Sequence, residues 1–388
     1  MYKTIEELVT RIDERNSDGT VSELIGVSID KCFIKSVANT NGTDLSKYKI
    51  IRKNDFAVSL MQVSRDGKIP VARLEEYEEA IMSPAYPIFR VKDKNIILPE
   101  YLEMWFKRSE FDREAAFIAV GGVRGSMPWE EFAKMKLPVP SIEKQQKIVS
   151  AYKIVTDRIV LKQKINDNLI SIGTTSIQKN VGRGALINLT EAEMDRLTFP
   201  KDFKVENVSE FCVETKSGST PSRINKEYWK NGTISWIKSG EVHNNITLQT
   251  EEYITPLGLS ESSTKLLPKD TVLMAMYGVT AGEVGYLAIE ATTNQAICGM
   301  ICHSKSEAAY LYFSLIQSRA TISRLSNGGA QDNLSKNFID NIKLVVPPSD
   351  FIEKMNLTAI VEQMTLNTRE ISLLESLQST ILAQLSSR

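Results

Sequence analysis

The sequence contains few of the residues and motifs that enzymes use for chemistry. Among its 388 residues there are two histidines, so acid–base catalysis by histidine has only His243 and His303 as candidates. The signature of adenine methyltransferases, Asp or Asn before Pro-Pro and an aromatic residue, is absent, although residues 345–349 carry the two prolines. Neither GxGxxG nor GxxxxGK[ST] occurs, so no motif indicates dinucleotide or nucleotide binding. We therefore predict a chain with no catalytic residue, no cofactor and no metal of its own.

Cysteine is also scarce, and its spacing bears on metal binding and location. Cys298, Cys302 and His303 resemble part of a zinc site, but a fourth ligand at usable spacing is missing, which favours buried thiols on a strand. Four scattered cysteines suit reduced thiols. No apolar run of about 18 residues occurs, and residues 1–15 are charged where a signal peptide has an apolar core. These features predict a cytoplasmic protein without a membrane partner.

Charge is nearly balanced, which limits the predicted partners. Lys and Arg number 47 against 48 Asp and Glu, so the formal net charge is −1. This balance argues against a general polyanion binder, and a nucleic-acid surface on this chain is expected to be a local basic one. The length predicts at least two domains.

An internal repeat organises the chain. Segments of similar sequence recur in the same order at a roughly constant offset, which indicates duplication. The matching pairs are RKNDFAVSLM (52–61) with LPKDTVLMAM (267–276), GKIPVA (67–72) with GEVGYL (282–287), AVGGVRGSMPWEEF (119–132) with SNGGAQDNLSKNF (326–338), and KMKLPVPS (134–141) with NIKLVVPPS (341–349).

Each copy begins with short β-like runs interleaved with helical stretches at 99–117 and 307–325. A Pro-Ser stop then introduces a helical segment almost free of Gly and Pro. The fold class is thus α/β (α+β): two similar mixed α/β domains joined by two long antiparallel coiled-coil helices, with a pseudo-twofold internal repeat. The predicted parts are the first domain (1–140), the first helix (141–185), the second domain (186–348) and the second helix (349–388).

Apolar residues in both helical segments follow alternating steps of three and four, the pattern of a coiled-coil seam. An Asn in each seam is of the kind that fixes register at some cost in stability. Two unrelated surface helices are the alternative, but equivalent positions in a duplicated chain favour antiparallel pairing. The residues expected to pair are Ile148, Tyr152, Val155, Ile159, Asn166, Leu169, Leu357, Ile360, Met364, Asn367, Ile371, Leu374, Ile381 and Leu385.

A rod of paired helices between two similar domains suggests a ruler. A seam of about 28 residues spans on the order of 40 Å at ~1.5 Å per residue. At ~3.4 Å per base pair of B-DNA, this is roughly 12 base pairs, or about one helical turn. Both domains are then expected to read short sequences on one side of a duplex, with an unread gap between them.

The loops carry side chains suited to this role. Small hydroxyl residues approach phosphates, Arg matches guanine, and Gln or Asn matches adenine, although an ordinary solvated loop explains each single residue equally well. The candidate DNA-binding residues are Gln62, Ser64, Arg65, Lys68, Arg124 and Ser126 in the first domain, and Ser217, Ser219, Thr220, Arg223, Lys238, Ser239, Tyr277, Gln331, Asn333 and Lys336 in the second.

Several of these segments resemble the specificity subunit of type I restriction–modification systems. The resemblance spans almost the whole chain, except that TRIDERNSDG (10–19) stands where the family has an SGxTPS loop, and Lys354-Met355 stands where Gln is usual. The segments that carry it are SGSTPSR (217–223), WIKSGEV (236–242), NQAICG (294–299), GGAQDNLS (328–335) and LPVPSIEKQQKIV (137–149).

The resemblance implies a non-catalytic subunit that binds double-stranded DNA with a bipartite target. It implies two modification subunits, which carry S-adenosylmethionine and methylate adenine, and restriction subunits that use ATP and Mg. The alternatives are a stand-alone nuclease or methyltransferase fusion, and a scaffold with no DNA role. Exposed residues expected to dock the modification subunits are Gln145, Gln146, Lys153, Arg158, Glu362 and Arg369.

Overall fold

The computed structural model describes residues 1–36, 43–61, 63–120, 125–187, 197–326 and 334–385. The chain divides into two compact units, Met1–Ile159 with Leu373–Arg388, and Val160–Ser372. The predicted domain boundaries lie at the ends of the long helices, whereas the observed division falls within them. The reason is that each half of a long helix packs against the globular domain that it adjoins.

The first unit contains a four-stranded sheet in the order β2-β9-β6-β7 and three two-stranded sheets, β1-β10, β3-β4 and β5-β8. Its elements are β1 (Tyr2–Thr4), α1 (Ile5–Leu8), β2 (Val9–Ile12), β3 (Ile25–Val27), β4 (Phe33–Lys35), a 3₁₀ turn (Leu45–Lys47), β5 (Lys49–Arg52), β6 (Phe56–Val58), α2 (Val63–Asp66), β7 (Val71–Arg73), β8 (Glu79–Met82), β9 (Ile88–Val91), α3 (Pro99–Phe106), α4 (Ser109–Ile118), α5 (Trp129–Lys134), β10 (Lys136–Pro138) and the first part of α6 (Ile142–Asn180).

The second unit contains a five-stranded sheet in the order β13-β20-β17-β18-β15 and two three-stranded sheets, β11-β21-β12 and β16-β14-β19. After the rest of α6 its elements are β11 (Ala185–Leu186), β12 (Lys204–Asn207), α7 (Val208–Phe211), β13 (Glu214–Ser217), β14 (Ile234–Ile237), β15 (Ile246–Thr247), β16 (Glu252–Ile254), α8 (Pro256–Ser260), β17 (Thr271–Ala275), β18 (Val284–Leu287), β19 (Thr292–Thr293), β20 (Ile297–Ile301), α9 (Lys305–Ser326), α10 (Lys336–Asp340), β21 (Lys343–Val346), α11 (Ser349–Lys354) and α12 (Leu357–Gln384), with 3₁₀ turns at Lys226–Tyr228, Ser239–Asn244 and Gly278–Thr280.

The two domains repeat one plan, as the sequence predicts. The order β2-β9-β6-β7 matches β13-β20-β17-β18 strand for strand. In each domain a strand leads into a one-turn helix with a capping box, built by Thr4 with Glu7 in the first and Asn207 with Glu210 in the second. This strand pairs antiparallel with the strand before the long helical segment, β1 with β10 and β12 with β21.

In both sheets, neighbouring residues of a strand face different cores. In β6, Phe56 belongs to the same core as the helices α3 and α4, while Ala57 belongs to a second, smaller core. In β17, Met274 belongs to the larger core of the second domain and Leu273 to a smaller one. Side chains alternate across a strand, so these strands are apolar throughout because both of their faces are covered.

Two predicted helices are interrupted. The stretch 99–117 forms α3 and α4, which are separated because the backbone of Arg108 is extended (φ −72°, ψ 139°). The segment 349–388 breaks after α11, where Asn356 adopts a left-handed conformation (φ +53°). The long part of the second helix therefore has 28 residues and the first has 39, whereas the sequence predicts one uninterrupted helix over 349–388.

The two long helices pair in both units, and the pairing is antiparallel. In the first unit, Ile148 and Tyr152 of α6 share one core with Ile381 of α12 and with Leu385, which follows that helix. Gln378 donates a hydrogen bond from Nε2 to Thr156 Oγ1 at 2.8 Å. Residues near the start of α6 thus contact residues near the end of α12, so the two helices run in opposite directions. The predicted pairing is confirmed.

In the second unit the pairing centres on a buried amide. Asn367 is 1% exposed; its Nδ2 donates to Asn166 Oδ1 at 2.9 Å, and its Oδ1 accepts from Lys162 Nζ at 3.1 Å. Lys162 also lies 2.8 Å from a carboxylate oxygen of Glu370. Because a one-residue slip would separate these polar groups, the network specifies the register.

The remaining seam residues differ in how deeply they are buried. Val155, Ile159, Leu357 and Met364 are buried, while Leu169, Ile360, Ile371 and Leu374 are half-buried. Val361, which the seam prediction omits, is also buried. Gly173 lies flat against the ring of Phe313, and any side chain there would collide with it. The seam of α6 is thus partly used for packing against the second domain.

The amide network predicts the effect of Asn367→Ala. The substitution removes the hydrogen bonds that Asn367 makes with Asn166 and Lys162, although Lys162 keeps its ion pair with Glu370. Because these bonds are buried, we expect the free energy of unfolding to fall by about 2 kcal/mol. The measurement is urea unfolding followed by circular dichroism, with Glu375→Ala on the exposed side of the same helix as control. Equal stability of the two variants would contradict the network's role.

Candidate nucleic-acid interface

The predicted DNA-binding loops of the second domain leave from one edge of its main sheet. Ser217 ends β13 and pairs with Cys298 near the start of β20. Ala275, at the end of β17, pairs with Ile297. The loops 218–223, 276–283 and 294–296 therefore meet along this edge, which we call the loop edge of the second domain. The equivalent loop edge of the first domain carries the loop 59–70 between β6 and β7.

A backbone hydrogen bond brings a further predicted loop to each loop edge. Leu334 N donates to Met276 O at 2.8 Å, which ties the chain after residues 327–333 to the β17–β18 loop. In the first domain Met127 N donates to Leu60 O at 2.9 Å and makes the same connection. Gly125 also touches the side chain of Ser64 so closely that a Cβ would collide with it. Loops distant in sequence thus meet at equivalent places in both domains.

Two tryptophans hold the SGSTPSR loop against the second domain. Trp236 donates from Nε1 to Ser219 O at 3.0 Å, and Trp229 donates from Nε1 to Ser222 O at 3.1 Å. The two rings lie edge to face with centroids 5.0 Å apart. Since the indoles bond to backbone carbonyls, the loop has a defined shape before any ligand binds.

The small residues of this loop are required by close backbone approach. A Cβ on Gly218 would collide with the carbonyl oxygen of Thr293, so only glycine fits there. Ser219 N donates to that same carbonyl at 2.9 Å. Thr220 Oγ1 donates to Gln295 Oε1 at 2.7 Å. These contacts join the SGSTPSR and NQAICG segments and explain why both motifs are present.

The basic residues beside this loop are held by acidic ones. Arg223 lies over the ring of Trp229, 3.6 Å from its centroid, and forms an ion pair with Glu252. Lys238 Nζ lies 2.6 Å from Glu251 and 3.3 Å from Glu252. The hydrogen bond from Arg223 lowers the pKa of Glu252, and the hydrogen bond to Glu251 raises the pKa of Lys238. Both cations are partly exposed and can exchange a carboxylate for a phosphate.

The WIKSGEV segment contains a residue that sequence reasoning missed. Glu241 is buried, and its carboxylate accepts hydrogen bonds from the backbone N–H of Lys238 and of Glu251, each at 2.9 Å. Ser239, a predicted DNA contact, begins the 3₁₀ turn that this carboxylate caps. An acidic residue three positions after the start of a turn is a recognisable capping signal, so the sequence contained the information.

A family comparison accounts for this arrangement. The model for the type I restriction modification DNA specificity domain matches the chain twice, at residues 22–170 and 200–373. The chain belongs to this family of DNA sequence-recognition subunits. The two matches correspond to the two copies of the repeat, each with its loop edge and its long helix.

Relatives within the specificity family cover most of the chain. The specificity subunit of the type I restriction enzyme EcoR124I/EcoR124II of Escherichia coli is 22% identical over 355 residues, which is 88% of this chain and 79% of that protein. The HindI specificity subunit of Haemophilus influenzae is 22% identical over 419 residues, or 91% of this chain and 90% of that protein.

A solved structure shares the fold of this family member. The crystal structure of the type I restriction–modification S subunit from M. genitalium aligns with a TM-score of 0.54 and 14% identity. The alignment covers 99% of this chain and 95% of that one. The mixed α/β fold with two domains, predicted from the repeat, is therefore confirmed.

The other DNA-binding residues predicted in the second domain differ in exposure and in how firmly their side chains are held. Tyr277 is partly exposed at the start of the Gly278–Thr280 turn. Lys336 is held within the domain, with Nζ 2.6 Å from both Thr215 Oγ1 and an Asp340 carboxylate oxygen. Its observed contacts join α10 to β13.

In the first domain, Arg65 pairs with Asp66 at 2.7 Å but is largely exposed, and Lys68 lies 4.0 Å from Asp30. Ser126 is half-buried. The opening segment 10–19 does not contain the SGSTPSR sequence. There, Asn16 is buried and its side chain bonds to the backbone of Val21. Four predicted contacts lie outside the described residues: Gln62, Arg124, Gln331 and Asn333.

The prediction that Gln145 is an exposed docking residue is wrong. Its side chain is fully buried, where Oε1 accepts from Leu98 N and Nε2 donates to the carbonyl oxygens of Ile96 and Pro140, all at 2.9 Å. Gln145 therefore fastens the start of α6 to the first domain. The other residues predicted to dock the modification subunits are exposed: Gln146, Lys153, Arg158, Glu362 and Arg369.

Cys298 and Cys302 are the thiols that resemble part of a zinc site in the sequence. Cys298 is buried, and burial raises the pKa of its thiol to about 12. Cys302 is half-buried. Within the residues that the structure describes, no three His, Cys, Asp or Glu side chains are grouped to hold a metal ion. In the same part of the chain, no helix has the length and apolar character needed to span a membrane.

The shared carboxylate predicts how Glu252→Gln changes stability with pH. Arg223 lowers the pKa of Glu252 below its ordinary value of 4.5. The ion pair thus stabilises the fold above about that pH, and its contribution is lost as pH falls through the lowered pKa. We expect the variant to be less stable by about 1 kcal/mol at pH 7, and the difference to disappear in acid.

The measurement is urea unfolding of both proteins between neutral and acidic pH. Glu214→Gln is the matched control, since Glu214 forms an exposed pair with Lys216 in the same domain. A difference between wild type and Glu252→Gln that stays constant with pH would contradict the assignment.

Proposed function

We propose that each domain of this specificity subunit reads one half of a bipartite DNA target through its loop edge. The observation that carries the proposal is the duplicated loop edge, where segments distant in sequence converge in both copies. Loops on a rigid sheet are the usual carriers of recognition. Their side chains differ between the copies, so the two halves of the target differ as well.

The proposed partners are duplex DNA, two modification subunits and the restriction subunits. In this assembly the specificity subunit supplies no catalytic group. S-adenosylmethionine belongs to the modification subunits, and ATP and Mg belong to the restriction subunits. The exposed outer positions of the long helices, such as Lys153 and Arg158, are the proposed docking surface for the modification subunits.

The paired helices are proposed to set the length of the unread spacer. Support comes from the polar contacts that specify their register, Asn367 with Asn166 and Gln378 with Thr156. A pair of helices locked in register does not slide, so a distance set by it is constant.

The deciding experiment is methylation mapping with the complete methyltransferase, made from this chain and its modification subunits. We expect a split motif with an unread gap. Exchanging the segments 218–223 and 276–283 for those of a relative should change one half of the motif and leave the other half intact. A continuous palindrome, or a simultaneous change in both halves, would refute the assignment of one domain to each half.

The rival functions are tested with the same material. The isolated chain should neither methylate nor cut DNA when S-adenosylmethionine, ATP and Mg are supplied. Activity of the isolated chain would instead identify a stand-alone enzyme. Sequence-independent methylation by the full complex would favour a scaffold without a DNA role.

Lengthening both helices together should lengthen the gap. Seven residues inserted after Ile159 and seven after Ser372 add two turns to each helix at the points where the two compact units divide. At ~1.5 Å per residue this adds about 10 Å, or roughly 3 base pairs. Methylation mapping reads the new gap directly.

The control for this experiment inserts seven residues into one helix alone. That insertion puts the two seams out of step, so we expect loss of methylation and not a longer gap. If the double insertion left the gap unchanged, the helices would not determine the spacing.

A further inference from the structure

The most exposed large apolar side chains of the described residues are concentrated near the two loop edges. Val279 is 106% exposed, Ile224 94%, Met1 90% and Phe117 81%. Apart from the terminal Met1, each lies in or next to a loop already placed at these edges. Val279 is in the β17–β18 loop, Ile224 follows SGSTPSR, and Phe117 lies in the last turn of α4, before Met127 bonds to Leu60.

Val279 stands on a turn with a defined shape. Ala281 N donates to Gly278 O at 3.0 Å, Glu283 N donates to Thr280 O at 2.9 Å, and Gly282 N donates to Ala275 O at 2.9 Å. Gly278 and Gly282 take the positive φ values that the turn needs, +76° and +85°. The backbone of the turn therefore holds the valine in the solvent, where its side chain is 106% exposed and packs against none of the described residues of the domain.

The base of this turn is also fixed. Glu283 forms an ion pair with Arg319 of α9, and Met276, at the other side of the turn, accepts the hydrogen bond from Leu334 N. Little ordering is then required of the turn when a ligand binds, which favours a recognition role.

Single exposed apolar residues are common on protein surfaces, so exposure alone assigns nothing to Val279. Its neighbours make the difference. Tyr277 lies two residues away beside the same turn, and Leu334, the first described residue after 327–333, bonds to Met276 at the base of this turn. Valine has no hydrogen-bond donor or acceptor and no charge, so neither a phosphate nor a polar base edge is its partner. The apolar group that duplex DNA offers in the major groove is the 5-methyl group of thymine.

We infer that Val279 is a specificity-determining residue that contacts a thymine methyl group in the half of the target read by the second domain. The inference rests on the proposed function. Contact with the methyl group distinguishes a T·A pair from a C·G pair without a hydrogen bond. This contact adds to those of the polar side chains predicted to bind DNA at the same loop edge.

The test is competition binding with the methyltransferase complex and duplexes that carry its mapped target. Each thymine in the half assigned to the second domain is replaced in turn by deoxyuridine, which lacks only the 5-methyl group. We expect one replacement to weaken binding of the wild type by roughly 3- to 10-fold, as for the loss of one buried methyl group. Val279→Ala should bind the thymine and deoxyuridine duplexes equally.

Val213→Ala is the matched control. Val213 is exposed in the same domain, immediately before β13 and thus at the far end of the strand from Ser217. This variant should keep the preference for thymine. Thermal unfolding of Val279→Ala should match the wild type, because the side chain of Val279 is fully exposed.

Three outcomes would overturn the inference. They are a persistent thymine preference in Val279→Ala, a half-target without thymine, and a defect of the variant in binding modification subunits when DNA is absent. The third would identify Val279 as part of a protein interface. None of these outcomes affects the split motif found by methylation mapping of the wild type, so failure of the inference is distinct from failure of the proposed function.

Discussion

The pairing of two helices that are about 200 residues apart in sequence is the constraint on which the rest depends. Asn367 is buried against Asn166 and Lys162, and an unpaired buried amide is costly. The register in which all three side chains are satisfied is therefore strongly preferred. Residues of both α6 and α12 belong to the core of each unit, so the helix pair is part of both cores.

Duplication explains how one architecture serves two recognition tasks. The strand order is the same in both domains, and so is the bond that draws a distant loop to the sheet edge, Met127 to Leu60 and Leu334 to Met276. The parts that differ are the loops. In the second domain, two indoles donate hydrogen bonds to the SGSTPSR loop. In the first domain, Asn16 bonds to the backbone of Val21 in the corresponding segment. The scaffold is thus shared and the chemistry offered to DNA is not.

The near-zero net charge agrees with a local mode of DNA binding. Arg223 and Lys238 are held by Glu251 and Glu252, so the basic groups at the loop edge are already paired in the free protein. In the proposed binding mode, a DNA phosphate replaces one of these carboxylates. A surface of this kind gives a smaller non-specific attraction than a field of free cations would, which leaves more of the discrimination to base contacts.

The sequence by itself determined the duplication, the mixed α/β character of the two domains and the pairing helices, because these follow from offsets, strand patterns and seam periodicity, which are local or repeating. It also located the loops that converge at the sheet edges. Only the tertiary structure decided which polar residues are committed within the fold. Gln145 satisfies buried backbone groups of Ile96 and Leu98, and Lys336 joins α10 to β13. Such roles depend on partners far away in the sequence, and a residue's type and spacing do not specify where those partners lie.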